Sequence, residues 1–218
     1  MLVTIAGGHG NIALRLTSLL HARGDQVRSL IRKAEHADDV RAAGGEPVIC
    51  DLESASDYEV AAAVRGADAV LFAAGAGPGS GAERKWTMDY GGAVKLIAAA
   101  KAEGIRRYVI VSSTGADPDA PGDDTFSVYL RAKGKADADL AASGLDYTIV
   151  RPGRLTDDPG SGRVSLGPKV ERGEIPRDDV AAVLAAVLHD PATSGLTFEA
   201  MSGEVPIDEA VTALVRGV

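Results

Sequence analysis

Tyr129 and Lys133 stand four residues apart, the only Tyr and Lys in the chain with that spacing and order. On a helix this spacing puts both side chains on one face. A phenol hands a proton to a carbonyl oxygen near neutral pH only if its pKa, about 10 when free, is brought down. A lysine cation one turn away supplies that field, and it can also hold the ribose of a nicotinamide. Ser112, Ser113 and Thr114 add a run of hydroxyls at the end of an apolar stretch. One of them could bind a substrate oxygen and stabilise developing charge. Each could equally bond the backbone of the turn it sits in. The chemistry these residues suit is hydride transfer to a carbonyl, with Tyr129 as proton donor.

Such chemistry requires a dinucleotide site, and the amino terminus offers one. Residues 1–6 are apolar and run into Gly7-Gly8-His9-Gly10-Asn11-Ile12-Ala13, where a helical pattern begins. Strand, glycine turn and helix start, in that order, present free N–H groups and a positive dipole end to a phosphate. Gly7 permits the sharp turn, Gly10 the close approach of a pyrophosphate, and Ala13 the packing of helix on strand. His9 lies in the turn beside the pyrophosphate. The spacing is Gly-x-x-Gly-x-x-Ala rather than G-x-G-x-x-G. Where an NAD site carries an acid at the end of the second strand, this chain has Arg32-Lys33. Two cations suit a 2′-phosphate, so NADP (as NADPH) is the expected cofactor. Asp51 and Leu52 are expected beside the adenine, and Ala73-Ala74-Gly75 beside the ribose.

Elements that would position these residues alternate along the chain. Strand-like stretches fall at 1–6, 27–31, 47–50, 69–74, 108–112, 147–150 and 196–200, with helices at 11–22, 35–43, 56–64, 91–103, 128–142 and 178–188. Gly24, Gly44, Gly104 and Gly144 fall just past helices, as left-handed caps. This alternation predicts an α/β fold: a doubly wound parallel sheet in three layers, over one domain spanning 1–218. Two stretches break the rhythm, a glycine-rich loop at 75–81 and an irregular segment at 152–177. Both follow strand ends, where ligands bind in open α/β sheets. The net charge of -8 argues against nucleic-acid and anionic-membrane partners. A single cysteine, Cys50, fits a reducing compartment, and the reading is cytoplasmic. The scattered histidines predict no metal site. A small-molecule substrate and a monomer or homodimer are expected.

With these motifs the chain resembles the short-chain dehydrogenase/reductase superfamily, most closely its atypical, NmrA-like or NAD(P)H-binding branch, whose members include sugar-epimerase-like and flavin/biliverdin-reductase-like proteins. The glycine turn, Arg32-Lys33, Asp51-Leu52, the stretch 108–114, Tyr129-x-x-x-Lys133 and the block 143–153 ending in Arg151-Pro152-Gly153 carry the likeness, in the family's order. The resemblance implies a Rossmann-type sheet. It brings Pro152, Gly153 and Leu155 toward the nicotinamide, sets Ser112 among the cofactor contacts, and makes Thr114, or its neighbour Ser113, the catalytic hydroxyl. It also implies that Asp178 or Asp179 caps a late helix. The short chain after Gly153 suits a small substrate better than a nucleotide-sugar. Two other activities stay open: a cofactor-sensing regulatory protein, and an epimerase or dehydratase that retains its cofactor.

Overall fold

The computed structural model describes residues 1–77 and 79–217. Its frame is a nine-stranded sheet. From one edge the strands are β11 (Val205–Pro206), β8 (Arg163–Gly167), β10 (Leu196–Ser202), β6 (Asp146–Pro152), β5 (Arg107–Val111), β4 (Ala69–Phe72), β1 (Leu2–Ala6), β2 (Gln26–Ile31) and β3 (Glu46–Ile49). From β10 to β3 every pairing is parallel, while β8 runs antiparallel to β10 and to β11. Two further strands, β7 (Arg154–Thr156) and β9 (Glu174–Pro176), pair with each other outside this sheet.

The helices are α1 (Asn11–Ala22), α2 (Ala37–Ala42), α3 (Asp57–Val64), α4 (Ala82–Arg84), α5 (Ala93–Ala102), α6 (Thr125–Ala141), α7 (Arg177–His189) and α8 (Ile207–Arg216). Alternate strand residues feed two cores. Val3, Ile5, Leu71, Val109 and Val150 pack with α1, α7 and α8. Ala6, Val70, Phe72, Ile110 and Ile149 pack on the other face with α3, α5 and α6. The period-two pattern of a strand buried on both faces thus builds a three-layer, Rossmann-type fold. From β1 the chain winds outward through β2 to β3, then returns to lay β4 on the other side of β1. The ends of β1 and β4 therefore border the crevice where strand order reverses, the usual ligand position in such sheets.

Several boundaries differ from the sequence reading. Strand β4 stops at Phe72, and beyond it the Ala73 N–H still donates to the Ala6 carbonyl of β1 at 2.9 Å. The helix expected from 91 is preceded by α4 and a π-helical stretch, Lys85–Gly92. Helix α6 starts early because Asp124 accepts from the Phe126 and Ser127 N–H groups. The irregular segment contains β7, β8 and β9. Asp178 and Asp179 sit in the first turn of α7 rather than capping it. Their carboxylates instead take the backbone N–H groups of Gly160, Ser161 and Gly162.

Candidate functional site

After β1 the chain turns through Gly7, at a φ of 78° that disfavours any side chain. A Cβ on Gly7 would lie 2.6 Å from Ala74 Cα, and one on Gly8 would lie 2.4 Å from Ser29 Cβ. Crowding thus sits at Gly7 and Gly8. At Gly10, to which the sequence assigned the close approach, an added Cβ would meet only the Gly7 carbonyl oxygen, at 3.1 Å, and the Ala73 oxygen, at 3.8 Å. Gly10 caps α1 without a side-chain bond, and the first turn, opened by Asn11, holds no acid. An uncapped helix start with no acid in its first turn suits a diphosphate.

Two concavities flank this turn and share the strip Ala73–Gly77. The outer groove, about 280 Å³, is bordered by Gly7, His9, Gly10, Ile31, Arg32 and His36. The expected cation pair divides here. Arg32 is exposed and faces the groove, with no carboxylate at ion-pair distance among the described residues. The Lys33 Nζ is held 2.9 Å from Glu35 and does not line the groove. His9 Nε2 lies 2.7 Å from Asp39, and its ring stacks on His36 at 3.7 Å.

Asp51 and Leu52 do not line the groove. Asp51 accepts from the Glu53 N–H at 3.1 Å and borders a separate hollow with Cys50 and Tyr58. The Ser54 and Ala55 N–H groups close a turn on the Asp51 carbonyl. That turn folds Leu52 into the core, against the position where Gly92 would carry a side chain. The chain turns inward directly after β3, which leaves Asp51 and Leu52 outside the lining of this groove.

The inner cleft, about 540 Å³, brings together Tyr129, Lys133, Ser112, Ser113, Ile12, Pro152, Gly153 and Leu155 against the strip 73–77. Lys133 is buried; its Nζ donates to the Val111 carbonyl at 2.9 Å and lies 3.7 Å from Asp89 Oδ1. Asp89, buried in the π-helical stretch, also accepts from the Ala76 N–H at 3.2 Å. Tyr129 is half-buried on α6, with Phe126 stacked at 6.0 Å and exposed at the rim.

The three hydroxyls have different engagements. Ser112 donates to Asp137 Oδ2 at 2.8 Å. Thr114, the hydroxyl the resemblance favoured, donates to the Pro152 carbonyl at 2.9 Å and does not line the cleft. Ser113 lines it, with only a long bond, 3.2 Å, to the Thr114 carbonyl. Below them Arg151 clasps Asp137 at 2.9 Å. Burial pushes the Asp137 carboxyl above its ordinary pKa, opposed by Arg151, Ser112 and Lys133. Gly153 meets a demand from the scaffold: a Cβ there would lie 2.2 Å from Met201 Sδ and 2.4 Å from the Gly173 oxygen.

Sequence reasoning passed over Asp89, Lys85, Asp137 and Phe126. A signal existed for one of them, since Tyr129, Lys133 and Asp137 recur every four residues. Among the described residues no cluster of His, Cys, Asp and Glu forms a metal site, and no helix is long and apolar enough to cross a membrane.

A reversing parallel sheet with an uncapped helix start at its crevice defines a dinucleotide-binding protein of the Rossmann type. Residues 7–191 match the NAD(P)H-binding family, and the chain belongs to it, within the atypical, NmrA-like short-chain dehydrogenase/reductases. A Bacillus subtilis protein named as an uncharacterized sugar epimerase is 41% identical over 98% of this chain and all of its own length. A solved Bacillus halodurans structure, provisionally named an NAD-dependent epimerase/dehydratase, is 38% identical with a TM-score of 0.91, covering 98% of this chain and 100% of that one. An anaerobillin reductase from Escherichia coli O157:H7 is 25% identical with a TM-score of 0.78, covering 94% and 98%.

Proposed function

We propose that the protein is an NADP-dependent reductase of a small carbonyl compound. The observation that carries this reading is the convergence of Tyr129, Lys133 and Ser113 in one cleft that adjoins the phosphate turn across the strip 73–77. The N–H groups at the start of α1, with Gly7, Gly10, Asn11 and Ile12, would hold the diphosphate. Arg32 would take the 2′-phosphate through its planar fork, with Lys33 adding charge from outside. Ala73, Ala74 and Gly75 keep the wall of the crevice low, and Pro152, Gly153 and Leu155 bound the nicotinamide end. Bound NADPH would supply the hydride to the carbonyl carbon. Tyr129 gives its proton to the carbonyl oxygen, so ketone becomes alcohol, and the phenolate regains a proton from solvent. Lys133 stabilises that phenolate and holds the ribose. Ser113, the least committed of the three hydroxyls, orients the substrate oxygen.

The test has two arms. Calorimetric titration with NADPH and NADH should show binding, tighter for NADPH; no affinity for either removes the proposal. NADPH oxidation should then be followed with aldehydes, ketones and quinones. Tyr129→Phe should lower kcat by roughly a hundredfold or more while keeping cofactor affinity. A variant as fast as wild type would strip Tyr129 of its role. The name of the Bacillus subtilis relative supports a second reading, epimerisation with a retained cofactor. Purified protein carrying stoichiometric nicotinamide that never exchanges during turnover would favour it.

A further inference from the structure

We infer that the cleft selects substrates bearing a carboxylate, and that Lys85 is the residue that binds it. The inference rests on the reductase reading and names the class of compound reduced. Lys85 begins the π-helical stretch, lines the cleft and is 9% exposed. Its Nζ donates to Ser80 Oγ at 2.8 Å and to the Gly77 carbonyl at 3.2 Å, and lies 5.6 Å from the centre of the Tyr129 ring. Both acceptors are neutral, and an ammonium has three N–H donors. No carboxylate among the described residues stands within 4.0 Å of it. A charge withdrawn from water without a counter-charge is costly, so buried cations are normally paired.

Charge balance singles this residue out. Among the described residues the Lys, Arg, Asp and Glu side chains lining the cleft are Lys85, Lys133 and Asp89. Lys133 and Asp89 face each other at 3.7 Å and offset one another. One positive charge remains, on a chain whose net charge is -8. The 2′-phosphate of the cofactor does not account for it, because Lys85 does not border the outer groove that holds Arg32. A single uncompensated charge matches a carboxylate better than a phosphate dianion. The exposed Phe126 ring at the rim, stacked on Tyr129, offers a flat surface to the body of the same compound.

The experiment uses phenylglyoxylate and its methyl ester, which share the carbonyl and the ring and differ in charge. Affinity for each is measured calorimetrically on NADP-saturated wild type, Lys85→Met and Lys85→Arg. The positive charge of oxidised nicotinamide acts on all three proteins alike, so the acid-to-ester ratio is compared between them. Wild type should bind the acid roughly tenfold or more tightly than the ester, the strength of a charge-assisted hydrogen bond. Lys85→Met should lower the ratio by roughly tenfold, and Lys85→Arg should keep most of it. A lysine that merely pins the 77–80 loop would change both affinities together and leave the ratio intact, which overturns the inference. So does a wild-type ratio of one, readable even if Lys85→Met does not fold. NADPH oxidation followed with both probes separates the two claims. Turnover without acid preference removes the carboxylate site and leaves the reductase, whereas no NADPH binding removes both.

Discussion

The outer groove and the inner cleft hold comparable numbers of charged side chains, yet they hold them differently. Arg32, which lines the groove, and Lys33, Glu35 and Asp39 beside it are exposed, and pairings such as Lys33 with Glu35 sit in water, while the groove's other arginine, Arg84, is half-buried against Glu53 at 2.8 Å. Around the cleft Lys85, Lys133, Asp89 and Asp137 are buried, and each is bonded to backbone or to another buried group. Exposed pairs contribute little to stability and can be exchanged freely. Buried ones are part of the scaffold, so losing one leaves an unsatisfied partner. The difference separates two kinds of mutation: those in the groove should alter which cofactor binds, and those in the cleft should alter folding as well as turnover.

The hardest blow to this contrast would come at Asp137. Asp137→Ala strands Arg151 and frees Ser112, and should cost about 3 kcal/mol. For a chain of this size that corresponds to a fall in Tm of roughly 6–12 °C, measurable by calorimetry. A variant as stable as wild type would mean that the cleft charges are as dispensable as those of the groove. Next is Arg32→Ala. It should weaken NADPH by about 1.5–3 kcal/mol, the value of a hydrogen bond to a charged group, and leave NADH and Tm nearly unchanged. Equal binding of both cofactors by both proteins would end the 2′-phosphate argument. Lys33→Ala sharpens the same point, with an expected loss of NADPH affinity below about 1 kcal/mol because Glu35 already engages Lys33.

The smallest effect concerns acid. The Arg15 guanidinium, aided by the Gly160 N–H, holds the half-buried Asp178 carboxyl below its ordinary range. Its folded pKa is therefore lower than its unfolded one. The stability this supplies is present above about pH 4 and is lost as pH falls through the depressed value. Asp178→Asn should narrow the Tm gap to wild type on acidification. A gap that stays constant would show that this contact between α1 and α7 contributes nothing.

The fold was legible because its strands are apolar runs and its helices end at glycines: Gly24, Gly44, Gly104 and Gly144 all have positive φ. The glycine turn after β1 and the Tyr129–Lys133 spacing were legible for the same local reason. What escaped depended on distant partners. Strand β8 alternates exposed Arg163 and Ser165 with buried Val164, a pattern too short to separate from a loop. The burial of Leu52 is set by the turn after β3, which its place after a strand does not reveal. Lys85 and Asp89 precede the predicted helix start at 91, in a π-helical stretch whose wider turn no ordinary helical periodicity reveals. Asp137 shared a visible face with Tyr129 and Lys133, yet its partner Arg151 comes from β6.

The strip from Ala73 to Gly77 walls two hollows, one on each side. At Ala74 it packs so closely on Gly7 that any side chain at Gly7 would collide with it. Descendants of such a chain could not widen their chemical repertoire by editing this shared wall without disturbing the common coenzyme. Diversification has to proceed from the far bank, where Phe126 and Leu155 border the cleft alone.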